Sequence, residues 1–136
     1  MTRLVIFACV HNAGRSQMAA AFFRQFADPT VWCAVSAGTQ PAAHVHPEVA
    51  AAMHEVGIDL TQARPTLLTT ELAAGATLLV TMGCGEACPV LPGVGREDWP
   101  LPDPKGQPVE RVRAIRDTIR DRVRDLLARL GGGRPA

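Results

Sequence analysis

The sequence contains no tyrosine, and phenylalanine and tryptophan together supply only 4% of its 136 residues. Because stacking on nucleobases depends on aromatic side chains, we do not expect a nucleic-acid-binding protein. The 14 Lys and Arg against 13 Asp and Glu leave a net charge of +1, which also argues against nucleic acid or an anionic membrane as partner. No apolar run is long enough to span a bilayer, and the run that follows Met1 is too short for a signal peptide. We therefore expect a cytoplasmic protein.

The composition is that of one globular domain. Hydrophobic residues make up 47% and charged residues 20% of the chain, which excludes an intrinsically disordered protein. A chain of this length folds without disulfides or structural metals. We expect a single domain over residues 1–130 and a flexible, glycine-rich tail over residues 131–136. In a reducing compartment the four cysteines are expected to be thiols, with catalytic or metal-binding roles. Cys33, on a predicted strand, is expected to be a core thiol.

Segments typical of strands and helices alternate along the chain. Buried strands are predicted from short apolar runs at 4–8, 31–37 and 76–81, with a fourth near Asp98-Trp99. Helices are predicted from apolar spacing and from start and stop signals at 17–26, 47–55 and 109–130, and a further short helix is predicted to extend through Ala74 with Thr69 or Thr70 as its cap. This alternation indicates a three-layer α/β fold, in which a four-stranded parallel sheet carries helices on both faces. Such sheets bind ligands beyond the carboxyl ends of their strands, so the loops that begin at Cys9 and Met82 are expected to meet.

The loop between the first strand and the first helix is the candidate site. It begins at Cys9 and ends at Arg15-Ser16. Backbone N–H groups in such a loop and at a helix N-terminus converge on a volume that favours a tetrahedral oxyanion and stabilises a thiolate. The planar guanidinium of Arg15 can hold two oxygens of that anion, and the Ser16 hydroxyl can donate to the Cys9 sulfur. Asn12 tolerates left-handed backbone angles and can brace the loop. A cysteine that only packs at the end of a strand is the alternative.

The string Cys9-x-x-Asn12-x-x-Arg15-Ser16 resembles the phosphate loop of the low-molecular-weight protein-tyrosine phosphatase superfamily, and the run from Val10 to Ala19 resembles its arsenate reductase branch. The later motifs that resemble this branch are Ser36-Ala37-Gly38-Thr39, Gly57-Ile58-Asp59-Leu60, Thr81-Met82-Gly83-Cys84-Gly85-Glu86-Ala87-Cys88-Pro89, Asp98-Trp99 and Leu101-Pro102-Asp103-Pro104. The resemblance implies the fold of that superfamily, with Cys9 as nucleophile and Asp103 as general acid. The oxyanion-binding residues that it implies are Val10, His11, Asn12, Ala13, Gly14, Arg15 and Ser16.

Two features depart from the phosphatases of this class. Lys105 follows the Asp-Pro dipeptide, where those phosphatases typically have a tyrosine that shapes a phosphotyrosine cleft. Cys84 and Cys88 form a pair that ester hydrolysis does not need, whereas arsenate reduction needs two electrons, which thiols supply. We expect Cys84 to attack Cys9, and Cys88 to resolve the product to a Cys84–Cys88 disulfide. The motif Gly-Cys-Gly-acidic-x-Cys-Pro also resembles a branch that uses an external thiol such as mycothiol, so that alternative stays open.

The resemblance implies an arsenate reductase that uses no bound metal or nucleotide. Its ligand would be arsenate or phosphate, and its external reductant would be thioredoxin, a glutaredoxin- or mycoredoxin-type protein, or a thiol such as mycothiol or glutathione. One alternative is a phosphatase acting on phosphotyrosine or small phosphate esters through a phosphocysteine. Another is a non-enzymatic oxyanion or arsenite sensor, in which Cys84 and Cys88 chelate As(III); the acid at Asp103 favours turnover over sensing. A less favoured hypothesis is a zinc site that combines this cysteine pair with His44 and His46.

Overall fold

The computed structural model of the protein describes residues 2–83, 88 and 90–134. Its strands are β1 (Arg3–Cys9), β2 (Trp32–Gly38), β3 (Leu78–Thr81) and β4 (Gly95–Asp98), and its helices are α1 (Arg15–Phe26), α2 (Pro47–Glu55), α3 (Thr70–Ala74) and α4 (Val109–Leu130). Helices α2 and α4 begin and end where the sequence predicts, and α3 ends at Ala74 as predicted, with the first of the two candidate residues as its cap. Helix α3, for example, starts after Thr69, whose side chain accepts a hydrogen bond from the Leu72 N–H group, as a capping residue does.

The four strands form one parallel sheet in the order β2-β1-β3-β4. Strand β1 pairs with β2 so that Cys9 lies opposite Gly38, and with β3 so that Ala8 lies opposite Thr81. After Arg3, β1 contains only apolar residues and cysteine, which fits this central place, because an inner strand of a parallel sheet is covered on both faces. The predicted α/β fold with a four-stranded parallel sheet is therefore confirmed.

Helices cover both faces of the sheet. Phe7 and Cys9 belong to a large core cluster that also contains side chains of α1, α2 and α4, whereas their neighbour Ala8 belongs to a smaller cluster. Because successive strand residues point to opposite faces, the two clusters lie on opposite sides of the sheet. Leu72 of α3 packs against the smaller cluster. The three layers that the sequence predicts are therefore present.

The aromatic side chains stabilise the core. The ring of Phe7 lies 5.6 Å from that of Phe23 and 5.7 Å from that of Trp99, and Phe23 meets Trp32 edge-on at 6.1 Å. These separations are typical of favourable aromatic pairs. Both tryptophans are buried, with only 2–3% of their surface exposed. Neither ring is therefore available to stack on a ligand at the surface.

The prediction that Cys33 is a core thiol is wrong. Cys33 is exposed and carries a free thiol. It lies on β2, which is an edge strand of the sheet, and its register partner Leu4 is only partly buried. The smaller cluster on that face does not extend over this end of the edge strand, so the side chain meets solvent. An apolar strand pattern does not reveal whether the strand lies at the edge or in the middle of its sheet.

The residues after α4 return to the sheet as far as the structure describes them. The carbonyl oxygen of Gly131 accepts a hydrogen bond from Trp32 Nε1 at 2.9 Å. The Gly132 carbonyl accepts from the Asp28 N–H group at 2.8 Å, and the Arg134 N–H group donates to the Phe26 carbonyl at 2.7 Å. Residues 131–134, which the sequence assigns to a tail, therefore lie against the end of α1 and the start of β2. In the described part of the chain, no helix has the length and apolar character required to cross a membrane.

Candidate active site

The loops that follow β1 and β3 lie side by side at the carboxyl edge of the sheet. The first, residues 9–16, is called the anion loop below. The Met82 N–H group, just after β3, donates to the Ala8 carbonyl at 2.7 Å, which places Met82 and Gly83 beside the end of β1. The parallel register therefore brings together two loops that are far apart in the sequence, at the edge where such sheets bind ligands.

Cys9 is linked to two polar side chains of its own loop. The Cys9 sulfur is 2.8 Å from Ser16 Oγ, and Asn12 Nδ2 donates to that same oxygen at 2.7 Å. Because Ser16 Oγ accepts from the amide, its own proton is free to point at the sulfur. A hydroxyl that donates to sulfur stabilises the thiolate, which is the nucleophilic form of cysteine. Cys9 is 3% exposed, so it reaches a substrate only from inside the loop.

The orientation of the Asn12 amide is fixed from behind the loop. Asn12 Oδ1 accepts hydrogen bonds from the Thr66 N–H group at 2.9 Å and from Gln17 Nε2 at 3.3 Å. A backbone N–H only donates, so the atom facing Thr66 must be the oxygen and the atom facing Ser16 must be the nitrogen. Asn12 is fully buried and has a φ of 50°, a left-handed conformation that asparagine tolerates. The sequence prediction that Asn12 braces the loop agrees with this arrangement.

The N-terminus of α1 faces the same small volume, and no side chain among the described residues caps it. Gly14 is the N-cap residue and offers no side chain to the first N–H groups, and the first turn contains no acidic residue. The partial positive charge of a helix N-terminus is therefore left for an anion from solution. The anion loop combines this field with the thiol of Cys9.

Arg15 is held at the mouth of the anion loop by the segments on its other side. Its Nη1 atom donates to the Leu101 carbonyl at 2.8 Å. Gly83, which has a φ of +94°, comes so close that a Cβ added there would lie 2.7 Å from the same Nη1 atom. Only a glycine fits both the close approach and the left-handed backbone. The guanidinium is thus fixed at one end, and its remaining N–H groups can face a bound anion.

The Asp103-Pro104 segment lies against the anion loop. A Cβ built on Gly14 would lie 2.9 Å from Pro104 Cγ, so Gly14 leaves the space that the proline ring occupies. Asp103 is exposed, and its Oδ1 atom accepts from the Lys105 N–H group at 3.0 Å. Glu48 of α2 accepts from the Gly106 N–H group at 3.4 Å. The candidate acid is therefore next to the residue that packs on the loop, and it remains accessible to solvent.

The segment 39–46 braces the anion loop along its outer side. Three backbone hydrogen bonds of 2.8–2.9 Å connect them, from Gln40 to Val10, from Ala42 to His11 and from His46 to Ala13. The His11 ring also contributes, because its Nδ1 atom is 3.0 Å from the Gln40 carbonyl and must carry the proton to donate there. Gly38 precedes this segment, and a Cβ at that position would lie 2.6 Å from the Val10 carbonyl. The third residue of the motif Ser-Ala-Gly-Thr is therefore a glycine because the anion loop passes directly over it.

Cys88 occupies a different environment from Cys9. It is 1% exposed and belongs to the smaller cluster, on the other face of the sheet. Arg96 Nη1 donates to its carbonyl oxygen at 3.1 Å. Cys88 is disulfide-bonded, whereas Cys9 and Cys33 are free thiols. Cys84, the other predicted relay residue, lies outside the described residues.

A metal centre finds no support in the described ranges 2–83, 88 and 90–134, where no group of three or more His, Cys, Asp or Glu side chains could hold an ion. His44 is exposed, and His46 is engaged through its backbone with the anion loop. The zinc hypothesis also requires Cys84, which is outside those ranges.

Several residues that build the site were given no role in it from the sequence, although some of them lie in the motifs quoted above. They are Gln17, Gly38, Thr66, Gly83, Leu101 and Pro104. Most act through backbone atoms or through the lack of a side chain. The type of residue in the sequence does not reveal either contribution. The glycines within the family motifs were the one available signal for these residues, since such a glycine marks a place where two segments come close together.

Comparisons with known proteins agree with this geometry. The model of the low molecular weight phosphotyrosine protein phosphatase family matches residues 4–134. A protein of Halobacterium salinarum is 42% identical over 125 residues, which cover 88% of this chain and 87% of the relative. An arsenate reductase of Staphylococcus aureus is 34% identical over 132 residues, which cover 93% and 98% of the two chains. The solved structure of a thioredoxin-dependent arsenate reductase from Corynebacterium glutamicum matches with a TM-score of 0.82 at 35% identity, over 94% of this chain but only 61% of that chain.

Proposed function

Since this chain belongs to the low molecular weight phosphotyrosine protein phosphatase family, we propose that it reduces arsenate to arsenite through a thiol relay that begins at Cys9. The observation that carries the proposal is the hydrogen-bonded pair of Cys9 and Ser16, 2.8 Å apart, in a loop that faces an uncapped helix N-terminus. A thiolate and an oxyanion are both stabilised there. The relatives named as arsenate reductases support this reaction over others of the family.

In the first step, arsenate binds to the backbone N–H groups of residues Val10–Ser16, and Arg15 holds two of its oxygens. The Cys9 thiolate attacks arsenic, so that a sulfur–arsenic bond forms while an arsenic–oxygen bond breaks. Asp103 donates a proton to the departing oxygen, which leaves as water. Fixed donors around the other oxygens stabilise the charge that develops during the attack. The exposed position of Asp103 allows the acid to recover its proton from solvent.

In the second step, the Cys84 thiolate attacks the Cys9 sulfur. A Cys9–Cys84 disulfide forms, the sulfur–arsenic bond breaks, and its electron pair stays on arsenic, which leaves as arsenite. In the third step, the Cys88 thiolate attacks Cys84, a Cys84–Cys88 disulfide forms, and Cys9 leaves as a thiolate. In its disulfide-bonded state Cys88 lies on the other face of the sheet from Cys9, and this separation supports a relay in which a second thiol links the two. Its disulfide-bonded state is consistent with a redox role.

An external dithiol must then reduce the disulfide. A thioredoxin-like protein is the reductant that we propose, because the Corynebacterium relative is described as thioredoxin-dependent. We place the reaction in the cytoplasm, where such reductants keep thiols reduced. A mycothiol- or glutathione-type thiol with a glutaredoxin or mycoredoxin partner is the alternative. It would attack the arsenic adduct at Cys9 directly, without using Cys88.

A phosphatase uses the same nucleophile, arginine and acid, so the site alone also supports ester hydrolysis. The surroundings favour a small inorganic oxyanion over phosphotyrosine. Both tryptophans are buried in the core, the chain has no tyrosine, and the exposed residue after Asp103-Pro104 is Lys105. Binding without reaction, as in a sensor, gives no reason for Asp103-Pro104 to pack on the anion loop.

The proposal is tested by incubating the protein with arsenate, thioredoxin, thioredoxin reductase and NADPH, and measuring arsenite and NADPH together. We expect one NADPH to be consumed for each arsenite formed. Cys9→Ser should abolish the reaction, and Cys88→Ser should stop it after at most one turnover. Cys33→Ser is the matched control, because it removes an exposed thiol that is remote from the anion loop, and it should retain full activity. Hydrolysis of p-nitrophenyl phosphate without any reduction of arsenate would replace our proposal with the phosphatase alternative.

A further inference from the structure

We propose that Gln17 is a positioning residue of the anion loop, which turns the N–H group of Ala13 towards the bound oxyanion. This role rests on the proposed function and deepens its first step, in which backbone N–H groups bind arsenate. Gln17 lies on α1 and is 4% exposed. None of the described hydrogen bonds of its side chain reaches Cys9 or Arg15. Its effect on a bound anion therefore passes through the peptide that it holds.

The carbonyl groups of residues 9–14 are directed at groups that surround the anion loop. Five of them accept a hydrogen bond from a backbone N–H group at 2.8–3.4 Å. The donor and acceptor residues are Thr39 and Cys9, Gln40 and Val10, Ala42 and His11, His46 and Ala13, and Met18 and Gly14. Because a trans peptide places its C=O and N–H groups on opposite sides, each contact turns the next N–H group towards the interior of the loop.

The remaining carbonyl, that of Asn12, is held by a side chain. Gln17 Nε2 donates to this oxygen at 3.0 Å, and it lies 3.3 Å from both Asn12 Oδ1 and the Arg64 carbonyl oxygen. Carbonyl oxygens only accept, so the atom of Gln17 that faces all three is the amide nitrogen. A substitution can remove this donor, whereas the backbone donors of the other carbonyls remain in any variant. The Asn12–Ala13 peptide is therefore the one whose orientation depends on a residue type.

The Asn12–Ala13 peptide needs this support because Asn12 has a φ of 50°. A left-handed angle is costly for a residue other than glycine, but it turns successive N–H groups towards one point, where they form a concave site for an anion. If the peptide flipped, the Asn12 carbonyl would face the anion in place of the Ala13 N–H group, and repulsion would replace attraction. Gln17 opposes the flip by binding the carbonyl on the side of α1.

The hydrogen-bond chain to Cys9 should survive the loss of Gln17. Asn12 Oδ1 would still accept from the Thr66 N–H group at 2.9 Å, and Asn12 Nδ2 would still donate to Ser16 Oγ at 2.7 Å. Removing Gln17 should therefore weaken the binding of an oxyanion and leave the reactivity of the free Cys9 thiol nearly unchanged. This separation distinguishes the orientation of one peptide from general loosening of the loop.

The experiment compares the wild type with Gln17→Met, which keeps the side-chain length but removes the donor. Calorimetry measures the affinity for inorganic phosphate, and iodoacetamide in phosphate-free buffer measures the reactivity of Cys9. NMR spectra of ¹⁵N-labelled protein follow the loop amides during a phosphate titration. In Gln17→Met we expect phosphate affinity to fall about tenfold or more, because a hydrogen bond to a charged group is lost. Alkylation should keep close to its wild-type rate. The Ala13 amide should lose its response to phosphate, while the amides of Gly14 and Arg15 keep theirs.

Gln25→Met is the matched control, because it removes an exposed glutamine from the same helix, and its three readouts should equal those of the wild type. The role of Gln17 is overturned if folded Gln17→Met binds phosphate as tightly as the wild type, or if alkylation slows as much as the affinity falls. The wild type alone also tests it, whether or not the variant folds, since an Ala13 amide that does not respond to phosphate while its neighbours do would refute it. A wild type that binds no phosphate would instead overturn the oxyanion site of the proposed function, and the role of Gln17 with it.

Discussion

Replacing Asn12 by aspartate tests whether the anion loop activates Cys9 through Ser16. The two side chains have nearly the same shape, and a carboxylate can still accept the hydrogen bonds from Thr66 and Gln17 that are 2.9 and 3.3 Å long. It cannot donate to Ser16, where the amide donates at 2.7 Å. The Ser16 proton would then turn to the carboxylate and away from the Cys9 sulfur. Aspartate also tolerates the left-handed backbone, so the fold should survive.

The size of the effect follows from the hydrogen bond that is lost. A hydrogen bond to a charged group contributes about 1.5–3 kcal/mol. Because a factor of ten corresponds to about 1.4 kcal/mol, the loss of the bond from Ser16 to the Cys9 thiolate predicts a decrease of about 10- to 150-fold in thiolate reactivity. The new negative charge beside the sulfur acts in the same direction.

The assay measures the rate of Cys9 alkylation by iodoacetamide at neutral pH, together with kcat/KM for arsenate. Ser16→Ala is the matched variant, because it removes the same hydrogen bond without adding a charge, and it should show a decrease of similar size. Circular dichroism confirms that each variant is folded. An Asn12→Asp protein that is folded and alkylates at the wild-type rate would refute the role given to the Asn12–Ser16–Cys9 chain.

Three further substitutions have definite expected outcomes. Gly83→Ala should weaken phosphate binding in calorimetry, because its Cβ would lie 2.7 Å from Arg15 Nη1; unchanged affinity would contradict that contact. Arg15→Lys should lose most arsenate reduction despite keeping its charge, since an ammonium group cannot hold two oxygens in one plane; near-normal kcat/KM would count against this. Hydrogen bonds from Arg113 and then Arg116 lower the pKa of Glu55 from 4.5 to about 2. The stabilisation is present above about pH 4.5 and disappears as the pH falls towards 2, so Glu55→Gln should weaken the acid dependence of urea unfolding in that range.

The features that depend on local sequence were predicted well. The spacing of apolar residues predicts the full length of helix α4. Helix α2 begins at Pro47, and proline suits the first position of a helix. Asn12 and Ser16 were assigned to the anion loop because their side chains act within a few residues of their own position. Sequence spacing is a sufficient guide for contacts of this kind.

The features that depend on the arrangement of the whole sheet were not predictable. Cys33 is exposed because β2 is an edge strand, and the sequence of a strand does not show where the strand lies in its sheet. Arg113 stands four residues before Asp117, a spacing that favours an ion pair along α4, but it binds Glu55 of α2 at 2.6 Å. The carbonyl of Leu101 that holds Arg15 is a backbone atom, which any residue could supply. Such contacts follow from packing that only the folded chain defines.

A single turnover without external reductant tests the central claim most directly. The fully reduced protein is mixed with one equivalent of arsenate, arsenite is measured, and the protein is analysed by intact-mass and peptide mass spectrometry. The relay predicts one arsenite for each chain and a loss of two hydrogen atoms from the protein, mapped to a disulfide between Cys84 and Cys88. Arsenic that stays bound at Cys9 until glutathione or mycothiol is added would contradict the relay, and arsenate that remains unchanged would contradict the reductase itself.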